Sequence, residues 1–171
     1  MKKTLFAASA LALGLAIITS LSAQAKVKEG SAFPTAKLPM LQGSGTMDLN
    51  TLKGKVVIYD FWASWCEPCK IELPALNKMY KKYKAQGLVV IGVNMDEKPD
   101  DARAFLKEHP ITVPLLADGK AQVLAKQLEI DKMPTSFIVG KDGKVAERHE
   151  AYREGDDKKI EAQIKALLAK K

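Results

Sequence analysis

The sequence predicts an α/β fold: a mixed central sheet flanked by helices on both faces. Two observations predict it. Apolar, β-branched runs at 55–62 and 88–94 bracket a helical pattern, and strand and helix patterns then alternate. Near the end, two short strand patterns flank Lys141-Asp142-Gly143-Lys144, a hairpin signal, before one last helix.

The elements follow in order. Residues 35–48 predict a small hairpin around Gln42-Gly43-Ser44-Gly45. Residues 55–62 are near-continuous β-branched and aromatic, as in a strand buried on both faces. Over 67–85, Leu73, Leu76, Met79, Tyr80 and Tyr83 recur at helical spacing, and Gly87 closes the run. Residues 88–94 are a second buried strand. Residues 99–109 form a helix opened by Pro99 and ended before Pro110. A short strand at 112–116, a helix at 120–128 and a strand at 135–139 come next. The hairpin leads into a strand at 145–149, and residues 156–169 are a closing helix with Asp near its start.

The beginning of the chain sets the compartment. Met1-Lys2-Lys3 is a positive leader, residues 5–21 are apolar or small, and Ala23-Gln24-Ala25 has the small-x-small form of a cleavage site. This predicts a signal peptide over 1–25, a short tether over 26–32, and one domain over 33–171. The other reading is an uncleaved membrane anchor over 5–21, which is short for a full span. Both readings place the domain outside the cytoplasm, periplasmic or otherwise extracytoplasmic, where disulfides persist.

Cleavage leaves 146 residues, enough for one domain with a full core. The net charge of +7 falls to +5, because the leader holds two lysines and no acid. The basic run 78–84 reads as the solvated face of a helix. No nucleic-acid motif accompanies it, so no nucleic-acid partner is expected. The acidic run 96–101 reads as a solvated loop and helix start; docking of a basic partner is its other reading.

The chain's two cysteines sit three apart in Trp65-Cys66-Glu67-Pro68-Cys69-Lys70, where a strand turns into a helix. Thiols at that spacing form a redox pair. Cys66 lies at the helix mouth, where free N–H groups and the positive dipole end favour a thiolate, so it is the expected nucleophile. Cys69, a turn further in, is the expected resolving thiol. A purely structural disulfide is the alternative, but so short a loop stabilises little by chain entropy. Glu67 places a negative charge beside Cys66 and is expected to oppose its thiolate, which favours a reductant over an oxidant. Its other reading is a first-turn acid complementing the dipole. Pro68 stiffens the turn and removes one N–H. Asp60 stands mid-strand in an apolar run, where an acid needs a reason. Glu72 lies on a helix face neighbouring Cys69 and reads either as a second proton carrier or as a surface acid.

The segment Phe61-Trp62-Ala63-Ser64-Trp65-Cys66-Glu67-Pro68-Cys69 resembles the active-site segment of thioredoxins, and Lys132-Met133-Pro134-Thr135 resembles their cis-proline loop. The leading hairpin, the extra α-β unit before the Met-Pro loop, and Cys-Glu-Pro-Cys-Lys-x-Glu-x-Pro at 66–74 are similar to the extracytoplasmic TlpA/ResA group. The resemblance spans about residues 31–170. It implies a thioredoxin fold with an N-terminal β-hairpin and a central α-β insertion.

The resemblance further implies that Asp60 assists proton transfer at Cys69, that Glu72 influences the thiols, and that Trp65 lines the rim above Trp62. It implies a cis Met133–Pro134 bond and a substrate-binding surface of Trp65, Glu67, Pro68, Met133, Pro134 and Thr135, in which the Met133 backbone pairs with an extended substrate strand. The implied activity is thiol-disulfide oxidoreduction on disulfide-containing proteins, including apo-cytochrome c, by a monomer with no cofactor beyond the cysteine pair. A membrane electron donor would re-reduce it. One departure stands out: Ala151 occupies the position where the family usually has glycine at the groove edge.

Three rival readings weaken. A peroxidase of the peroxiredoxin type needs Thr three residues before its cysteine, where Ala63 stands. A zinc site needs four ligands, and His109 and His149 are remote in sequence from the cysteines, so no metal is expected. A copper chaperone could hold Cu(I) on two soft thiolates, but the chain lacks a Met/His-rich segment.

Overall fold

The computed structural model describes residues 27–170. The expected signal segment lies outside the described residues. Among the described residues, no helix is long and apolar enough to cross a membrane.

A two-stranded hairpin, β1 (Lys37–Pro39) with β2 (Thr46–Asp48), precedes the main sheet. The chain then runs through β3 (Val56–Trp62), α1 (Cys69–Tyr83), β4 (Leu88–Asn94), α2 (Pro99–Glu108) and β5 (Leu115–Ala117). It finishes with α3 (Val123–Gln127), β6 (Thr135–Val139), β7 (Val145–Glu150) and α4 (Asp156–Ala169). The five-stranded sheet has the order β5-β4-β3-β6-β7. β3 is parallel to β4 and antiparallel to β6, so the sheet is mixed, as expected.

Alternation along β3 sorts the two cores. Val56, Ile58 and Trp62 face a cluster that includes Leu73 and Leu76 of α1, Phe105 of α2 and Ile160 and Ile164 of α4. Val57, Tyr59 and Phe61 face the other cluster, with Leu38 of the hairpin and Leu124 of α3. Phe33 covers this second face, stacked on Tyr59 with ring centroids 4.1 Å apart. Three helices therefore cover one face, and α3 with the hairpin covers the other.

Boundaries shift where local chemistry differs from periodicity. α1 starts at Cys69 rather than 67, because the residues before it form the turn that presents the cysteines. After α1 a 3-10 turn (Lys84–Gln86) ends at Gly87 with φ 99, a left-handed conformation that glycine adopts without penalty. β5 begins at 115 rather than 112, just after Pro114, and Thr112 turns instead to Asn77, whose side-chain oxygen accepts its N–H at 3.0 Å. α3 begins at 123 rather than 120. The Asp118 carboxylate accepts the N–H groups of Val123, Leu124 and Ala125 and so fixes where that helix starts.

The stretch read as a tether is docked over its described end. Gly30 N–H donates to Val145 O at 2.8 Å, Val145 N–H to Ser31 O at 2.9 Å, and Phe33 N–H to Gly143 O at 3.0 Å. At the opposite edge, Leu41 N–H donates to Leu115 O at 2.8 Å.

Candidate active site

The site forms where β3 runs into α1. Cys66 and Cys69 are joined as a disulfide with Cα atoms 5.3 Å apart. The Cys69 N–H is directed at Cys66 Sγ, 3.3 Å away. That donor and the positive end of α1 stabilise negative charge on Cys66. In the disulfide state both cysteines are nearly covered: Cys66 is 5% exposed and Cys69 1%. Pro68 sits exposed at the helix start.

The segment before the cysteines is pinned from a distance. Ser64 N–H donates to the Asp96 carboxylate at 3.0 Å and the Ser64 hydroxyl donates to it at 2.9 Å. Asn94 Nδ2 donates to the same carboxylate at 2.7 Å. The acidic run was expected to be solvated throughout, yet Asp96 is buried at its start. Gly119 closes over it; a Cβ there would lie 2.2 Å from Asp96 O. The sequence held no clue to this brace, since Asp96 lies 32 residues from Ser64.

Trp62 is fully buried against Phe105, and Trp65 stands 65% exposed. Trp65 and Met133 line one cleft of about 490 Å³ with Met95, Glu97, Gln122, Ile130, Asp131 and Lys132. The central insertion thus supplies much of the cleft wall. Met133–Pro134 is cis. Among the described residues, no backbone hydrogen bond engages the Met133 N–H or C=O. Thr135 differs from expectation. It is fully buried and its hydroxyl donates to Lys132 O at 2.8 Å, so it braces the loop from below instead of facing a substrate. Ala151 lies beside this loop with φ 65, and its N–H donates to Pro134 O at 2.9 Å. The departure from glycine therefore falls on a left-handed backbone position against the cis-proline.

On the sheet face that also packs the two cysteines lie two acids. Asp60 is completely buried, and no protein donor reaches either of its carboxyl oxygens among the described residues. Burial pushes its pKa well above the ordinary carboxylate range, and the neighbouring Glu72 carboxylate adds to the rise. Glu72 is 1% exposed, so it is not a surface acid. Burial pushes it up to about 7, the Ser136 hydroxyl bonded to it opposes that rise, and Asp156 adds to it.

Glu67, in contrast, is solvated, with its side chain 80% exposed and paired to Lys70 at 2.5 Å. A cation so close offsets the repulsion that Glu67 was expected to exert on Cys66.

A model of the AhpC/TSA family matches residues 30–148. The chain is 36% identical over 135 residues to the thiol-disulfide oxidoreductase ResA of Bacillus subtilis, covering 78% of this chain and 74% of that protein. It is 34% identical to the ResA of Bacillus cereus, covering 72% and 70%. Among solved structures, a Chlorobium tepidum protein described as a thiol:disulfide interchange protein DsbE superposes with a TM-score of 0.80 at 38% identity. The match covers 84% of this chain and all of that one. The thioredoxin domain of a thiol-disulfide oxidoreductase from Bacteroides vulgatus gives 0.70 at 26% identity, covering 81% and 99%. With the fold, the Cys66–Cys69 disulfide and these relatives in agreement, the chain belongs to the AhpC/TSA family of the thioredoxin superfamily, as a ResA-like thiol-disulfide oxidoreductase.

Proposed function

We propose that this oxidoreductase works outside the cytoplasm as a reductant of disulfides in partner proteins, apo-cytochrome c among them, and that a membrane electron donor restores its dithiol. The carrying observation is the redox disulfide at the mouth of α1 with the unengaged Met133 main chain on the wall of the adjoining cleft. An extended substrate strand can pair with that main chain, a mode tolerant of sequence.

The reduced Cys66 thiolate attacks one substrate sulfur, forming the mixed disulfide and releasing the other substrate sulfur as a thiolate. Cys69 then loses its proton and attacks Cys66 Sγ. The Cys66–substrate bond breaks, the second substrate thiol leaves, and the Cys66–Cys69 bond forms. The buried Asp60–Glu72 pair, taken as a unit, accepts the proton of Cys69.

The negative charge that this acid pair holds near neutral pH disfavours a thiolate in the reduced form and so makes the dithiol a better donor. The expected reduction potential is therefore nearer that of thioredoxin, about −270 mV, than that of the strong oxidant DsbA, about −120 mV. Equilibration in a series of glutathione buffers measures it, and a value near the oxidant's would reverse the assigned direction. A Cys69→Ala variant should retain partners as mixed disulfides through Cys66, and their identification names the pathway. Capture through no cysteine at all would remove the substrate-reducing role.

A further inference from the structure

Asp60 and Ser136 are opposite partners in the β3–β6 ladder, so their side chains leave the sheet on the same face. That face is the one covered by α1, and α1 lays Glu72 onto the Ser136 hydroxyl. Ser136 Oγ donates to Glu72 Oε1 at 3.0 Å. All three residues are at most 2% exposed. Asp60 has no such donor on either oxygen. The Ser136 hydroxyl is thus the one side-chain donor that reaches the acid pair among the described residues.

Among the described residues, no cation acts on either acid. Asp156 of α4 acts on Glu72, and Tyr152, in the segment before α4, stands close enough to feel Glu72, Asp156 and Asp157. Burial and these acids keep the Tyr152 phenol neutral, pushed up to about 12. Two carboxyls in such a place cannot both ionise near neutral pH, so one proton stays in the pair. A hydroxyl donor stabilises a carboxylate more than a carboxylic acid. It decides which of the two gives up its proton first.

We propose that Ser136 is a positioning residue that orders this proton: it makes Glu72 the acid that ionises first and leaves the proton on Asp60. The inference rests on the thiol chemistry proposed for the site. Its consequence is a division of labour. In the resolving step the Glu72 carboxylate takes the proton from the Cys69 thiol. Glu72 becomes neutral, and the Cys69 thiolate attacks Cys66 Sγ and expels the substrate thiolate. Asp60 keeps its proton throughout, which limits the negative charge beneath the sulfurs.

The test uses the reduced protein with an aryl disulfide whose released thiolate is coloured. The first release reports attack by Cys66 and the second reports resolution by Cys69. The rate of the second release is measured from pH 5 to about 9. In the wild type it should rise through one inflection near neutral pH as Glu72 ionises. Ser136→Ala should move that inflection upward by about one pH unit, the size expected for one charge-assisted hydrogen bond lost from a buried carboxylate. Ser136→Thr, which keeps a hydroxyl, should restore it. Glu72→Gln should abolish the inflection, and Asp60→Asn should keep it. An unmoved inflection in Ser136→Ala, or one lost in Asp60→Asn and kept in Glu72→Gln, overturns the assignment to Ser136 while leaving the dithiol chemistry in place. A wild-type protein that gives no second release overturns both.

Discussion

Asp96 holds Ser64 by two groups at once, taking its backbone N–H at 3.0 Å and its hydroxyl at 2.9 Å. A residue two positions past β4 thereby fixes the residue two positions before Cys66. The carboxylate is buried and also accepts from Asn94, so its charge is spread over several donors.

Replacing Asp96 by Ala leaves Ser64 N–H and Asn94 Nδ2 without an acceptor. The expected loss is about 2–4 kcal/mol of stability, the scale for breaking a buried charge-assisted network. Denaturant unfolding measures it. The same variant should alkylate faster at Cys66 when reduced, since the loop ahead of it is freed. A change under about 0.5 kcal/mol would mean the brace is replaced by solvent.

Glu72 gives stability a pH dependence of definite sign. Its pKa in the folded chain is raised from an ordinary 4.5 to about 7, so the folded state binds the proton more tightly than the unfolded state. The stabilisation is complete below the unfolded value and is lost as pH climbs through the folded one. Between pH 4.5 and 7 the wild type should lose roughly 3 kcal/mol from this group. Glu72→Gln should make that part of the curve shallower by about this amount, leaving the slope that Asp60 contributes. Parallel slopes for the two proteins would show that Glu72 titrates normally.

Ala151 holds a left-handed φ of 65 beside the cis-proline loop. A side chain there costs about 1 kcal/mol, partly balanced by the greater chain entropy of an unfolded glycine. Ala151→Gly should therefore raise the melting temperature by about 2 °C. A lowered melting temperature would show that the alanine methyl contributes packing that outweighs the backbone strain.

Much of this fold was legible because its signals are local. β4, β6 and α4 have the predicted limits, each a run of one period bounded by Gly, Pro or Asp. The redox pair and the cis-proline loop were legible through motif and order. What escaped was contact between residues far apart in sequence. Asp96 and Glu72 read as solvated or undecided acids, because their partners Ser64 and Ser136 lie 32 and 64 residues away. The Asp118 carboxylate shortened α3 for a related reason, since hydropathy periodicity does not register a cap. Glu67 misled in the opposite way. Its neighbourhood in sequence to Cys66 suggested influence, but the side chain turns to Lys70 and water.

The segment around Gly30–Phe33 and the residue Leu41 have a joint effect on the sheet's rims. One lies along β7 and the other along β5, so hydrogen-bonding groups at both borders are occupied by the chain itself. Open borders invite strands of foreign or unfolded chains and lead to aggregation. A thiol-disulfide oxidoreductase meets other chains in the course of its reaction, so that risk bears on it directly. Where Gly30–Phe33 and Leu41 cover the rims, a foreign strand cannot add to the sheet, while the Met133 main chain stays without a backbone partner among the described residues.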